Sequence, residues 1–462
     1  MEIIMEYRIE RDTLGEIEVE ASRLWGAQTE RSRRNFNIGR GTEVMPEEII
    51  KAFAILKLAS ARANRRLRPD KMTEEKLSYI EDAAEKIKLG ELSEEFPLVV
   101  FQTGSGTQTN MNVNEVICGY ANRKAGKRLL HPNDDINMSQ SSNDTFPTAM
   151  HIAALTSINS KLIPAVRGLI DTLKRLEREN EGVIKCGRTH LQDATPISFS
   201  QEISGWRASL EYDLEAIIGA SGALSRLALG GTAVGTGLNA PRGFDRLACE
   251  EISRECGLEF ITDENKFHAL TSKSELASVH GTLKALACDL MKIANDVRWL
   301  ASGPRLGLGE IFIPENEPGS SIMPGKVNPT QCEALTMVAL QVMANDVAVG
   351  FSAASGNFEL NVYMPVCIYN FLQSVRLLSD AIISFDENCV KGIKPNREKM
   401  KENLEKSLML VTSLSPHIGY ESAAEVAKLA HRDGLTLKEA ALRLGVIDEA
   451  RFDEIVRPET MI

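Results

Sequence analysis

The sequence predicts an all-α protein organised around a central bundle of five long helices. Three observations predict it. Leu276, Val279, Leu283, Leu286, Leu290, Ile293, Val297 and Leu300 step by three and four without a break. That heptad seam covers about 25 residues, or roughly 37 Å of helix. Hydrophobic residues make up 43% of the 462-residue chain but aromatic ones only 5%, so the core must come from Leu, Ile, Ala and Val, the usual filling between helices. Long helical stretches also recur. One runs from about Thr148 to Leu176, with Leu162, Val166, Leu169, Leu173 and Leu176 on one stripe and a kink expected at Pro164. Others lie near 197–228, 331–351 and 359–388.

The remaining elements follow in chain order. Residues 1–44 mix short alternating stretches with the turn signal Asp12-Thr13-Leu14-Gly15, which predicts one or two small strands near the N-terminus. From Met45, Ile49, Phe53, Leu56, Ala59 and Ala63 take helical spacing. Residues 101–146 are dense in Ser, Thr, Asn, Gln, Gly and Asp, and read as a helix flanked by two polar, site-building loops. Val390 to Asn396 reads as a linker. The expected organisation is a mixed helical domain over 1–138, the long-helix bundle over 139–390, and a small helical C-terminal domain over 391–462. Seams this long tend to continue into neighbouring subunits, so a homo-oligomer is expected.

Charge and cysteine usage limit the functions available. A net charge of −11 argues against nucleic acid or an anionic membrane surface as the main partner. An acidic substrate would then need a local cationic pocket. The eight cysteines lie at 118, 186, 249, 256, 288, 332, 367 and 389, without Cys-x-x-Cys spacing, which fits reduced thiols rather than a metal site or a disulfide frame. The first residues, MEIIMEYRIERD, are too charged for a signal peptide, and Met5 reads as an alternative start. No apolar run approaches 18 residues, so no membrane span is expected, and the location expected is cytoplasmic.

Chemistry concentrates in a few polar strings. Gly319-Ser320-Ser321-Ile322-Met323-Pro324-Gly325-Lys326-Val327-Asn328-Pro329 packs hydroxyls, a lysine and an amide between glycines and prolines. It reads as a shaped loop suited to an anion and a developing oxyanion. Three further strings offer neutral donors: Thr103-Gly104-Ser105-Gly106-Thr107-Gln108-Thr109-Asn110, Ser139-Gln140-Ser141-Ser142-Asn143-Asp144, and Gly187-Arg188-Thr189-His190-Leu191-Gln192-Asp193. With Lys326 they suit a small dicarboxylate gripped at both ends. The glycine-rich run from Gly230 to Asn239 lacks the Lys-Ser/Thr ending of a phosphate loop and reads as a close-packing turn.

These strings resemble the class II fumarase family of the fumarase/aspartase superfamily. Ile313-Pro314-Glu315-Asn316-Glu317-Pro318 leads into the Gly319–Pro329 loop, and Gln331-Cys332-Glu333 follows it. His131-Pro132-Asn133-Asp134-Asp135, Ser355-Gly356-Asn357-Phe358-Glu359 and Trp25-Gly26-Ala27-Gln28-Thr29 match as well, so the resemblance spans nearly the whole chain. It departs mainly in the N-terminal segment and around Ala121–Leu130. The loop alone is superfamily-wide. His190 separates the nearest two members, because aspartases typically carry glutamine there, and Ser141-Ser142-Asn143 is likewise the fumarase form.

The resemblance implies reversible, stereospecific hydration of fumarate to L-malate through an enolate-like aci-carboxylate. It implies Ser320 as proton-abstracting base, and His190 oriented by Glu333 at the leaving hydroxyl. Lys326 and Asn328 would hold the carboxylate next to the lost proton, and Ser105, Thr107, Ser141, Ser142, Asn143 and Thr189 the rest of the substrate. Arg128, His131, Asn133 and Asp134 resemble the family's second carboxylate site, and Glu317 a loop-positioning or relay acid. It further implies a homotetramer with sites shared between subunits, and no metal or other cofactor. Read without the family, Ser320 is a turn hydrogen-bonder, His190 a structural histidine, Glu317 a solvated acid and the His131 string a capped turn. The rival functions are ammonia elimination from aspartate on the same scaffold, and a helical scaffold without catalysis.

Overall fold

The computed structural model describes residues 6–462 and is mostly helical; Met5 lies outside the described residues. The principal elements, in order, are β1 (Tyr7–Asp12), β2 (Gly15–Glu20), α1 (Glu47–Leu67), α2 (Thr107–Ala125), α3 (Ser142–Ser157), α4 (Ile163–Glu179), β3 (Ile184–Thr189), β4 (Gln192–Ser198), α5 (Phe199–Ser221), α6 (Ser274–Leu300), α7 (Thr330–Ala354) and α8 (Met364–Asn388). The five expected long runs are present: α3 continuing into α4, then α5, α6, α7 and α8. Strands pair only two at a time. β1 and β2 form the expected hairpin, whose turn is set by Asp12 Oδ1 accepting from the Leu14 N–H at 2.9 Å and by Gly15 at φ +111°. The antiparallel β3–β4 hairpin lies far from the N-terminus, where no strand was expected.

The chain divides into two compact units. Met1–Pro164, Glu215–Ala285 and Leu340–Leu378 make the first; Ala165–Leu214, Leu286–Ala339 and Ser379–Ile462 make the second. Every division point falls within one of the five long runs, so each run lends a stretch to both units. In the first unit, the α1 stripe Ile49, Phe53, Leu56, Ala59 and Ala63 is fully buried, and the Phe53 ring meets Phe146 of α3 at 5.8 Å between centroids. In the second, Leu404, Leu414, Val426, Ala440, Ala441 and Phe452 pack with Cys186 of β3. Residues 390–396, expected as a linker, instead form a short 3-10 turn and a two-residue strand, Lys394–Pro395, paired with Ile311–Phe312. All eight cysteines are free thiols, six of them buried.

Two long runs differ from the sequence pattern for identifiable reasons. The run expected from Thr148 begins at Ser142, because Ser141 and Asp144 form a reciprocal capping box that starts the helix earlier. Where a kink was expected at Pro164, a π turn over Ile158–Leu162 precedes the proline, whose missing N–H interrupts the α ladder. The run expected from 359 starts at Met364. Gly356–Asn357 and Leu360–Asn361 pair as a small hairpin, and Pro365 then suits the first helical turn.

The α6 seam is buried throughout, from Leu276 to Leu300. Against the expectation from sequence, α7 and the segment Met364–Gly392 are long and apolar enough to cross a membrane by length and composition; core helices meet the same test. α7 has two apolar faces. Cys332, Leu335, Ala339, Val342 and Val349 are buried, whereas Met337, Leu340, Ala344, Val347 and Phe351 form an exposed stripe with heptad spacing. Leu283→Ala or Leu290→Ala, each emptying a fully buried seam position, is expected to cost about 2–5 kcal/mol. Denaturant unfolding followed by far-ultraviolet circular dichroism measures it.

Candidate active site

In the first unit, two of the polar strings meet at the starts of two helices. Gly104 lets the chain pass hard against residue 362: a Cβ there would lie 1.5 Å from the Val362 carbonyl oxygen. Gly106 takes φ +72°, and a Cβ there would strike the Phe146 ring. This tight passage delivers Thr107 as the first residue of α2. Its Oγ1 lies 3.0 Å from Ser105 Oγ and 2.8 Å from the Oγ of Ser142, the first residue of α3. A chain of three hydroxyls therefore joins two helix N-termini, where unpaired N–H groups and the helix dipoles favour an anion.

Asp144 holds the start of α3 in place and was not foreseen as important. It is fully buried. Its Oδ1 accepts the Ser141 N–H at 2.9 Å, and its Oδ2 accepts those of Gly230 and Thr232 at 3.0 and 2.8 Å. Burial pushes its carboxyl up to about 6, although these N–H groups and the charge of Lys57 pull the other way. The glycine-rich run at 230–239 is thus a close-packing turn, as expected, and its amides wrap the carboxylate beneath Ser141. Asn143 Nδ2 reaches the Ala233 carbonyl at 2.8 Å.

In the second unit, Thr189 pairs with Gln192, leaving His190 and Leu191 as a two-residue turn. Both residues take left-handed backbone, at φ +55° and +58°. Such a turn prefers Asn-Gly, and each bulky residue in it costs about 1–2 kcal/mol. The strain is tolerated because the hairpin is anchored. Arg188 donates to Glu310 through both terminal nitrogens at 3.0 and 2.6 Å, Asn403 Nδ2 donates to it at 3.0 Å, and the buried Lys185 lies 3.3 Å away. Burial would raise the Glu310 carboxyl, but Arg188, Lys185 and Asn403 hold it below its ordinary value. Glu310 was also missed; only its pairing with Arg188 in space reveals it.

The Gly319–Pro329 loop closes on itself. The Gly319 N–H donates to the Lys326 carbonyl at 2.7 Å, and Asn328 Nδ2 donates to the Gly319 carbonyl at 2.8 Å. Ser320 Oγ accepts the N–H groups of Ile322 and Met323 at 3.3 and 3.1 Å. Two N–H donors on one hydroxyl oxygen favour its ionised form. Lys326 and Glu317 are exposed. Glu333 sits in the first turn of α7, and no hydrogen bond or ion pair among the described residues joins it to His190, itself exposed.

The His131 string forms a π turn, Pro132–Ile136, capped by His131 Nδ1, which accepts the Asp134 N–H at 3.2 Å. Asp134 Oδ2 lies 3.3 Å from the same nitrogen. Among the described residues, no hydrogen bond or ion pair ties the Arg128 side chain to this turn, of which Asn133 is the second residue.

Comparison with known proteins decides the lineage. A lyase family model matches residues 15–344, and a model of the fumarase C C-terminus matches 410–462. The chain is 60% identical to the class II fumarate hydratase of Bacillus cereus and 57% identical to that of Helicobacter pylori, each over 99% of both chains. It belongs to the class II fumarate hydratases. These are hydro-lyases of the fumarase/aspartase superfamily. The structure agrees: the crystal structure of class II fumarase from Schistosoma mansoni superposes with a TM-score of 0.96 at 42% identity, covering 99% of both chains. Neither ammonia elimination from aspartate nor a non-catalytic scaffold is favoured by these relatives.

Glu310→Ala strips a fully buried carboxylate from Lys185 and Arg188 and is expected to cost about 3–5 kcal/mol. Because the folded state lowers the Glu310 pKa, its stabilisation is present above the ordinary value of 4.5 and fades as pH falls below it. Acid unfolding of Glu310→Gln should therefore show a weaker loss over that range than the unsubstituted protein.

Proposed function

We propose that this chain carries out the reversible anti hydration of fumarate to L-malate with Ser320 as the carbon base and His190 at the hydroxyl. A proton beside a carboxylate is a poor acid, so the site must stabilise the aci-carboxylate left when it departs. Lys326 and Asn328 would hold that carboxylate. The observation that supports Ser320 best is its oxygen's position as acceptor of two backbone N–H groups in the loop that also carries Lys326. A serine alkoxide is otherwise too costly to form near neutral pH.

Ser105, Thr107 and Ser142 suit the other carboxylate, since their linked hydroxyls sit where two helix dipoles present positive ends. Ser141, Asn143 and Thr189 complete the grip. His190, oriented by Glu333, would protonate the departing hydroxyl and, in reverse, activate water. Glu317 would position the loop or relay the proton, and Arg128, His131, Asn133 and Asp134 would form a second carboxylate site apart from the chemistry.

The working unit in this reading is a homotetramer whose sites draw on several subunits. Two features support it. The exposed heptad stripe on α7 is an unpaired helix-packing surface, and His190 and Glu333 are not joined within one chain.

Purified protein given L-malate should generate the ultraviolet absorbance of fumarate without added metal, and none from L-aspartate; a rise with aspartate instead would overturn the assignment. Ser320→Ala and His190→Asn should each lower kcat by about 10²–10⁴-fold in assembled protein. Near-normal turnover in either would remove that residue from its role.

A further inference from the structure

Lys57 lies in the middle of α1 and is only 1% exposed, within a helix whose other buried positions are mostly apolar. No carboxylate forms a salt bridge with it among the described residues. Its three N–H bonds go instead to side-chain amides: Asn110 Oδ1 at 2.7 Å, Gln140 Oε1 at 2.9 Å and Asn137 Oδ1 at 3.1 Å. A buried ammonium without a contacting carboxylate is a costly way to stabilise a core. The cage therefore calls for a reason other than stability.

We propose that Lys57 is a positioning residue that sets the spacing between the hydroxyls of α2 and α3. The proposal rests on the reading of Ser105, Thr107 and Ser142 as a substrate-carboxylate grip. Asn110 lies one turn along α2 from Thr107, so fixing Asn110 fixes Thr107. Gln140 immediately precedes Ser141, the cap of α3. Thr145 of α3 also donates to Asn110 Oδ1 at 3.0 Å. Asn137 Oδ1 gathers further N–H bonds from Asn110 and Asn114 at 3.2 Å each, and Asn137 Nδ2 donates to the Gln140 carbonyl at 3.2 Å. Gln140 Nε2 donates to the carbonyls of Ile136 and Met138 at 3.0 Å each. Asn64, two turns beyond Lys57 on α1, takes the Ser139 hydroxyl at 2.8 Å and binds the Met138 carbonyl at 3.0 Å. The segment 136–140 is thereby pinned to α1 and α2 with the ammonium at its centre.

Burial pushes the Lys57 ammonium down to about 7, partly offset by the charge of Asp144. The groups it bonds on α2 and on the 137–140 turn are uncharged amides, and the nearby Asp135 is paired with Lys76 at 2.6 Å. A neutral amine has two N–H groups for three acceptors, so the cage loosens as pH rises through that value.

The test compares KM and kcat for L-malate in Lys57→Met, with Ser142→Ala as a reference for the grip itself. Lys57→Met should assemble with a lowered thermal midpoint, since Gln140 Oε1 loses its donor, and show KM raised by about tenfold or more with a much smaller change in kcat. KM of the unsubstituted protein should rise above pH 7 as the cage loosens, and Lys57→Met should lack that rise. An unchanged KM with an unchanged pH profile would overturn the proposal. Should Lys57→Met fail to assemble, Gln140→Ala decides: a raised KM with kcat retained supports the positioning role, and an unaltered KM rejects it. If Ser142→Ala itself leaves KM unaltered, the hydroxyl grip is wrong and the positioning role falls with it. If Ser142→Ala raises KM but Lys57→Met does not, only the Lys57 inference fails.

Discussion

A 2.8 Å contact between two hydroxyls, Thr107 on α2 and Ser142 on α3, depends on most of what surrounds it. Two helix N-termini do not approach willingly, because their dipoles present like ends and their first N–H groups lack partners. Here the approach is enforced from three sides. Gly104 and Gly106 let the chain squeeze past residue 362 and Phe146, Asp144 ties the cap of α3 to the Gly230–Thr232 turn, and the Lys57 cage links α1, α2 and the 136–140 segment. The buried Asp144 carboxylate is occupied by the N–H groups of Ser141, Gly230 and Thr232. Linked hydroxyls at two helix N-termini suit an anion.

The second unit holds its polar strings in shape by a different physical means. His190 and Leu191 occupy a turn that glycine or asparagine would fill at lower cost, and the buried Arg188–Glu310–Lys185 cluster holds the hairpin in that shape. The Gly319–Pro329 loop is kept by its own backbone, which leaves Ser320 facing two N–H donors. Neither feature alone makes an enzyme. In one chain His190 and Glu333 remain unconnected, and α7 leaves an apolar heptad stripe uncovered. Both facts fit a site that is completed only on assembly.

Much of this was legible from the residues. The α6 seam, the α1 stripe, the N-terminal hairpin and the helix between polar loops follow from periodicity and turn chemistry, which are local properties. The polar strings carried the family, and with it the candidate residues. What could not be read was set by contacts distant in sequence. Asp144 looked like one more polar residue until Gly230 and Thr232 closed on it, eighty-odd residues away in the chain. Lys57 lies inside an apolar helical pattern, and its amide partners at 110, 137 and 140 are more than fifty residues away in the chain. The β3–β4 hairpin was hidden because its strands bear charged and polar residues that give no clean alternation, and the early start of α3 because the capping box precedes the apolar stripe.

Whether Ser320 and His190 of one site come from different chains is tested most directly by subunit complementation. Ser320→Ala and His190→Asn proteins, each inactive alone, would be unfolded together, refolded as mixed assemblies and assayed with L-malate. If Ser320 and His190 of one site come from different subunits, the mixture regains activity that neither parent has, because some sites then receive both intact residues. Activity that stays at the parental level in mixed assemblies of normal size would mean that one chain supplies both residues, and would contradict the account.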